Sequence, residues 1–270
     1  MKKKLGNKLA EDLMSELKGK TAIITGSSRG IGRAIAESLA REGMNLVLAA
    51  RGKDVLDKTV DEIAKKYKTK VVGVVCDVSK QADLENLVNV SLKEFKKIDA
   101  LINNAGVSSQ YPFHEQPLED IEKLMYTNFF GYVMLTRLII NHFVENKGGA
   151  VINMVSGSTM VDPPPRNFIV YTSLKWALRK WGKGLFWEMR DLGIKVTSLL
   201  PGVTNTELTG KLNDISKDSS RLMTTEAIEN AVKFALTVPA NVCPLEISVI
   251  NQQTPWTKPV IPFKQNHPEK

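Results

Sequence analysis

Thr25-Gly26-Ser27-Ser28-Arg29-Gly30-Ile31-Gly32 is the stretch on which the fold turns. Before it, residues 20–25 form a short run rich in Thr and Ile; after it, residues 31–40 carry Ala, Ile and Leu at helical spacing until Glu42-Gly43 stops them. A strand that passes through three Gly into a helix lets the main chain turn tightly and lets an anion approach the free N–H groups of the helix start. The spacing is G-x3-G-x-G, not the G-x-G-x-x-G dinucleotide fingerprint, and many βα turns carry Gly for geometry alone. Position makes this one informative. It follows the first strand, in the region where open α/β sheets bind nucleotides.

Working outward, the same alternation repeats. Further apolar runs at 45–50, 70–75, 100–102, 150–155, 194–200 and 245–250 read as strands, with helices expected over 53–67, 81–95, 118–144, 170–191 and 225–236. Strands that are apolar throughout belong to a parallel sheet covered on both faces. The reading is one doubly wound α/β domain over residues 20–251 with a parallel seven-stranded sheet. Residues 1–19 are expected to add an amphipathic helix (Leu5, Leu9, Leu13, Leu17), and residues 252–270, with four Pro, an extended tail.

Composition mostly excludes. The 270 residues are 43% hydrophobic and 24% charged, as in an ordinary globule, and the net charge is +8. Residues 1–20 carry +3 of that and residues 251–270 carry +2, so no basic face is left for nucleic acid on the remaining +3. No apolar run approaches the ~20 residues a bilayer span requires. Lys2, Lys3 and Lys4 imitate the start of a signal peptide, but Asn7, Lys8, Glu11 and Asp12 break any apolar region behind them. Cys76 and Cys243 show no metal spacing, and His114, His142 and His267 form no ligand set, so a cytoplasmic protein without metal is expected.

Four motifs in register sharpen this. Thr25 to Gly32 reads T-G-x3-G-x-G; Asp77-Val78 follows the third strand; Asn103-Asn104-Ala105-Gly106 follows the fourth; Tyr171-Thr-Ser-Leu-Lys175 lies on a later helix. In this order, over roughly residues 17–250, the sequence resembles the short-chain dehydrogenase/reductase family. The resemblance implies a Rossmann-type fold, a nicotinamide cofactor and a single carbonyl/alcohol interconversion. At the cofactor site it implies contacts from Gly26, Ser27 or Ser28, Arg29, Gly30, Ile31 and Gly32, from Asp77 and Val78 at the adenine, and from Asn104, Ala105 and Gly106 at the adenosine ribose. Pro201-Gly202-Val203-Thr204-Asn205-Thr206 matches the P-G-x3-T segment, whose main chain near Val203 and Thr204 and whose Thr206 hydroxyl should meet the nicotinamide side. Asn103 is expected to brace the sheet.

The second strand ends Ala49-Ala50-Arg51-Gly52, without the acid that would bind a ribose 2′-OH in an NAD site. Arg51 and Arg29 are cations able to converge on a 2′-phosphate, for which Arg offers charge-assisted bidentate bonds. A lone Arg is ordinarily a solvated surface charge; together with the missing acid, and with the basic residues that NADP-using relatives carry at these places, the pair points to NADP (NADPH).

Tyr171 and Lys175, at i and i+4, leave one face of a helix. A free Tyr, with a pKa of about 10, is a poor base, so a neighbouring ammonium is expected to favour its phenolate. The resemblance assigns Tyr171 as proton donor, Lys175 as its partner and ribose ligand, and Asn128 as holder of a relay water. It places the carbonyl-polarising Ser at the end of the fifth strand, where register selects Ser156 and leaves Ser158 as a pocket neighbour. Substrate contacts are expected from Phe113, His114, Met160, Arg166 and Leu208, with Tyr111 nearby. Trp176, Trp181 and Trp187 on the catalytic helix are expected against the sheet or at an interface of a homodimer or homotetramer. The expected activity is an NADPH-dependent carbonyl reductase/alcohol dehydrogenase. A 3-oxoacyl thioester reductase is the alternative within the class, and a non-catalytic NADP-binding regulator the one outside it.

Overall fold

The computed structural model describes residues 16–257. The strands are β1 (Thr21–Thr25), β2 (Asn45–Ala50), β3 (Val71–Val75), β4 (Ala100–Asn103), β5 (Gly149–Met154), β6 (Ile194–Pro201) and β7 (Glu246–Val249). They form one seven-stranded sheet in the order β3-β2-β1-β4-β5-β6-β7, parallel throughout. The helices are α1 (Gly30–Arg41), α2 (Lys53–Tyr67), α3 (Gln81–Phe95), α4 (Leu118–Met125), α5 (Gly131–Glu145), α6 (Ile169–Met189) and α7 (Thr225–Thr237).

Alternation along each strand divides the core in two. Ala22 and Ile24 of β1 face a cluster with Leu46, Leu48, Ile35, Leu39 and Ile228, which packs α1, α2 and α7 onto one side. Ile23 faces the other, with Val47, Leu101, Leu135, Ile139 and Phe143, under α3 and α5. Because both faces are covered, every residue of β1 is buried and the strand has no polar side. The order reverses between β1 and β4, so a crevice opens beyond their C-terminal ends. The buried Asn103 braces this centre, donating to Thr136 Oγ1 and Asn153 Oδ1 at 3.0 Å each.

One expectation needs correction. The single helix expected over 118–144 is two, α4 and α5, joined by a wider π-helical turn at Tyr126–Phe130. A Cβ at Gly131 would lie 2.5 Å from the Val78 carbonyl, so the helix start is pressed against the loop after β3. The extended tail expected over 252–270 is, as far as it is described, to Thr257, laid against the segment after β6, with Pro255 buried. The amphipathic helix expected over 1–19 falls almost wholly outside the described residues; of its apolar positions only Leu17 is described, and it is 2% exposed within the core. His267 also lies outside the described residues. No helix among the described residues is long and apolar enough to cross a membrane, and no group of His, Cys, Asp or Glu among them could hold a metal ion.

Candidate active site

The crevice beyond the sheet is a cavity of about 1730 Å³. A site for one small ligand commonly occupies roughly 300–1,000 Å³, so there is room for a dinucleotide and a second molecule. Of the site residues named from the sequence, all line it except Ser27, Phe113, His114 and Met160; Tyr111 does not line it either.

The Gly-rich turn makes the floor at β1. Gly26 and Gly30 have φ of +64° and +55°, which L side chains adopt only with strain. Gly32 is needed for space, since a Cβ there would lie 2.3 Å from the Gly26 carbonyl and 2.5 Å from Asn104 Nδ2. Asn104 stitches the turn to β4, donating to the Thr25 and Gly26 carbonyls at 2.9 and 3.2 Å. The start of α1 has no side-chain cap and no acid in its first turn, leaving its N–H groups and dipole directed at the cavity. Ser28 lines the cavity, but Ser27 is fully buried and donates to the Ala49 carbonyl at 3.4 Å. Of the two hydroxyls considered, Ser28 alone can reach a ligand.

The two arginines both line the cavity and differ in their partners. Arg29 is engaged by Glu207 at 2.7 Å, from the segment after β6. Arg51, exposed at the end of β2, has no hydrogen-bonded partner among the described residues. Its charge reaches Asp77. Burial pushes the Asp77 carboxyl up, but hydrogen bonds from Ser79, and then Arg51, outweigh it and hold it below the usual range. Cys76 also lines this end; burial and the nearby acids Asp83 and Asp77 push its thiol up to about 12, so it is inert.

At the other end, β5 delivers Ser156 and α6 delivers Tyr171 and Lys175. Ser156 caps a short turn at Gly157–Met160, its Oγ accepting from the Ser158 N–H at 3.1 Å. Ser158 Oγ is buried and has no partner, an unsatisfied group that a ligand hydroxyl, carbonyl or amide would relieve. Lys175 is 3% exposed; Nζ donates to the Met154 carbonyl at 2.7 Å and sits 6.0 Å from the Tyr171 ring centroid. Burial pushes the Lys175 ammonium down to about 7. Burial also pushes the Tyr171 phenol up, against a smaller opposing effect of the Ser156 hydroxyl. The expected lowering of Tyr171 by Lys175 is therefore not met in this arrangement. Burial displaces both groups toward their neutral forms, and the Ser156 hydroxyl offsets only part of it at Tyr171.

Asn128, fully buried in the π-helical turn, spends its amide on one residue: Oδ1 accepts from the Val107 N–H at 3.0 Å and Nδ2 donates to the Val107 carbonyl at 2.8 Å. The side chain ties the π-helical turn to the loop after β4 and keeps its second amide hydrogen unspent. Phe113, His114 and Met160 project outward, with relative exposures of 61% and 53% for Phe113 and Met160 and an exposed His114–Glu115 pair. Turn geometry rather than composition set those directions. Of the three Trp on α6, Trp181 packs with Tyr132, Val155, Leu178 and Leu200, while Trp176 and Trp187 are exposed under the guanidinium groups of Arg179 and Arg190. His142 is structural: its Nε2 accepts from the Ile98 N–H at 3.0 Å.

Asn251 was missed. Directly after β7, its Oδ1 accepts from the Val203 N–H at 2.8 Å, and its Nδ2 donates to the Val203 and Arg221 carbonyls at 2.9 Å each. This amide holds the Pro201-Gly202-Val203-Thr204 corner in shape. An Asn at the C-terminal end of the last strand of a parallel sheet was the available clue, since ligands gather at that edge.

Known proteins share this sequence family and fold. The profile described as short chain dehydrogenase matches residues 20–217. A diacetyl reductase [(S)-acetoin forming] from Staphylococcus epidermidis is 34% identical over 201 residues, covering 72% of this chain and 75% of that protein. Among solved structures, an alcohol dehydrogenase from the archaeon Thermococcus sibiricus, complexed with 5-hydroxy-NADP, superposes with a TM-score of 0.79 at 27% identity, covering 86% of this chain and 96% of that one. A 3-ketoacyl-(acyl-carrier-protein) reductase from Brucella melitensis, complexed with NADH, superposes with the same TM-score of 0.79 at 27% identity, covering 87% and 98%.

Proposed function

The chain belongs to the short chain dehydrogenase family, an oxidoreductase acting on the alcohol/carbonyl pair, and from that premise we propose that NADPH is its reductant and Tyr171 its proton donor. The observation that carries the reading is the meeting of Ser156, Tyr171 and Lys175 in one cavity with an uncapped helix start and a positive-φ Gly turn. The residues fit a dinucleotide: the N–H groups of the turn suit a pyrophosphate, and the orphaned Ser158 hydroxyl suits a polar ligand atom. Arg51 and the absence of an acid at the end of β2 support NADP over NAD, and the 5-hydroxy-NADP complex of the Thermococcus relative is consistent with that choice.

When bound, the cofactor supplies a hydride from C4 of its nicotinamide to the carbonyl carbon. This chain's part is to hold the carbonyl oxygen between the Ser156 and Tyr171 hydroxyls and to donate a proton to it from Tyr171. A phenol kept neutral by burial is ready for the reductive direction. The buried Lys175 amine, near its own midpoint at pH 7, would steady the phenolate left behind once it carries its proton. A relay water at Asn128 would take the second amide hydrogen or the main chain of the π-helical turn, since Val107 occupies only one donor of the side chain. Thr204 and Thr206, in the segment clamped by Asn251, would orient the nicotinamide. The exposed Trp176 and Trp187 support assembly into a homo-oligomer, which a light-scattering mass equal to one 30.0 kDa chain would exclude.

The test is NADPH consumption against a panel of ketones. Tyr171→Phe, which keeps the ring and loses the proton, is expected to lower kcat by roughly 10²–10⁴-fold with NADPH affinity retained. Undiminished turnover in that variant would remove Tyr171 from the mechanism.

A further inference from the structure

Beyond β7 the chain crosses the open side of the cavity and pairs with the segment after β6. The Pro255 carbonyl accepts from the Ser216 N–H at 2.8 Å, and the Thr257 N–H donates to the Asp214 carbonyl at 2.8 Å. Between these bonds Trp256 is paired antiparallel with Ile215. The segment after β6 is in turn tied to the loop after β4, because the Asn213 N–H donates to Gln110 Oε1 at 2.8 Å. The backbone of the strap beyond β7 is thus held on both sides of Trp256, and the indole points to a ring. Trp256 meets Phe168 edge-on with centroids 6.0 Å apart, and Phe168 meets Tyr171 edge-on at 6.3 Å. Three rings in edge-to-face contact run from the strap to the phenol. Pro255, Trp256, Phe168 and Tyr171 all line the cavity.

We propose that Trp256 is a specificity-determining residue, forming with Pro255 and Phe168 the outer wall against which a bulky apolar or aryl substituent of the carbonyl substrate packs. The inference rests on the carbonyl-reductase reading and names the substrate class for it. The rings of Trp256, Phe168 and Tyr171, with Pro255, make an apolar stretch of a lining that also holds Arg166, Thr254 and Thr257, and ring surface rewards apolar groups over hydroxyls. In an apolar pocket a single methylene already discriminates by roughly 10–200-fold, so removal of an indole should be visible in substrate choice. Trp256 acts on the substrate directly and on Tyr171 through Phe168, so a change confined to the wall moves KM before kcat.

The experiment compares the full chain with W256A and W256F, using NADPH and acetone, acetophenone and a ketohexose. Wild type is expected to prefer acetophenone. In W256A, kcat/KM for acetophenone should fall at least tenfold further than for acetone, mainly through KM, and W256F should restore most of the difference. Equal losses on all ketones, or a wild-type preference for the ketohexose, would overturn the assignment. Calorimetric binding of acetophenone to the protein with NADP separates the two readings. If wild type turns over no ketone yet binds acetophenone, and W256A binds it at least tenfold more weakly, the reductase reading fails and the wall stands. If W256A binds it as wild type does, or if wild type does not bind it, the wall fails whatever the turnover.

Discussion

The two halves of the cavity are built differently. The half beside β1, β2 and β4 is made by residues on or next to central strands, locked by contacts that admit little change: Gly32 against the Gly26 carbonyl, Asn104 against Thr25 and Gly26. The half beside Tyr171 is closed by four loops far apart in the chain, after β4, after β5, after β6 and after β7, joined by a few hydrogen bonds and one row of rings. The first suits a ligand that is always the same. The second is where a common reaction acquires its own substrate, because loops can be exchanged without disturbing the sheet.

The sharpest way to break this contrast is to overfill the cofactor half. Gly32→Ala has no room to relax, and thermal melting should show a loss of about 3 kcal/mol, roughly 6–12 °C, with NADPH binding lost as well. Unchanged melting and binding would mean that the turn is as adaptable as the strap. A smaller effect is expected from Arg51→Ala, since the guanidinium is exposed: the kcat/KM ratio of NADPH to NADH should fall roughly tenfold, the lower end for a charge-assisted contact. If the ratio does not move, the 2′-phosphate is not read at the end of β2, and Arg29 would have to leave Glu207 to read it.

A third effect is one of pH. Lys175 has its folded pKa pushed down to about 7 from an ordinary 10.5. Below pH 7 the folded protein carries the full cost of a buried cation. Above pH 7 it has released a proton that the unfolded chain still holds, so stability rises with pH until the unfolded lysine titrates. Relative to Lys175→Met, the wild type should gain up to about 1.4 kcal/mol per pH unit between pH 7 and 9, read as a difference in melting temperature. Tyr171 and Cys76 are present in both proteins and cancel in that difference. Parallel melting curves would show that Lys175 keeps its charge in the fold.

How much was legible follows from the range of the interactions involved. The strands, the Gly turn and the spacing of Tyr171 and Lys175 are short-range features, set by a period of two or 3.6 and by a turn only Gly tolerates. Ser27 and Ser28 are neighbours, yet one faces Ala49 and the other the cavity, and only the register of β1 on β2 separates them. Asn128 could be placed but not its bonds, because Val107 comes from a different element. The ion pair of Arg29 is hidden for the same reason: Glu207 lies 178 residues away.

Local residue patterns suffice for a doubly wound α/β domain, for the edge of the sheet at which a nucleotide would sit, and for the helix face carrying Tyr171 and Lys175. Each of these is written in residues near one another along the chain. The tertiary structure alone decided that the chain after β7 closes the site, that Asn251 clamps the corner after β6, and that Trp256 reaches Tyr171 through Phe168. Pairing of a strap with a loop some forty residues earlier leaves no periodic trace, since its bonds are main-chain bonds that almost any sequence can make; only the folded sheet brings the two segments within reach.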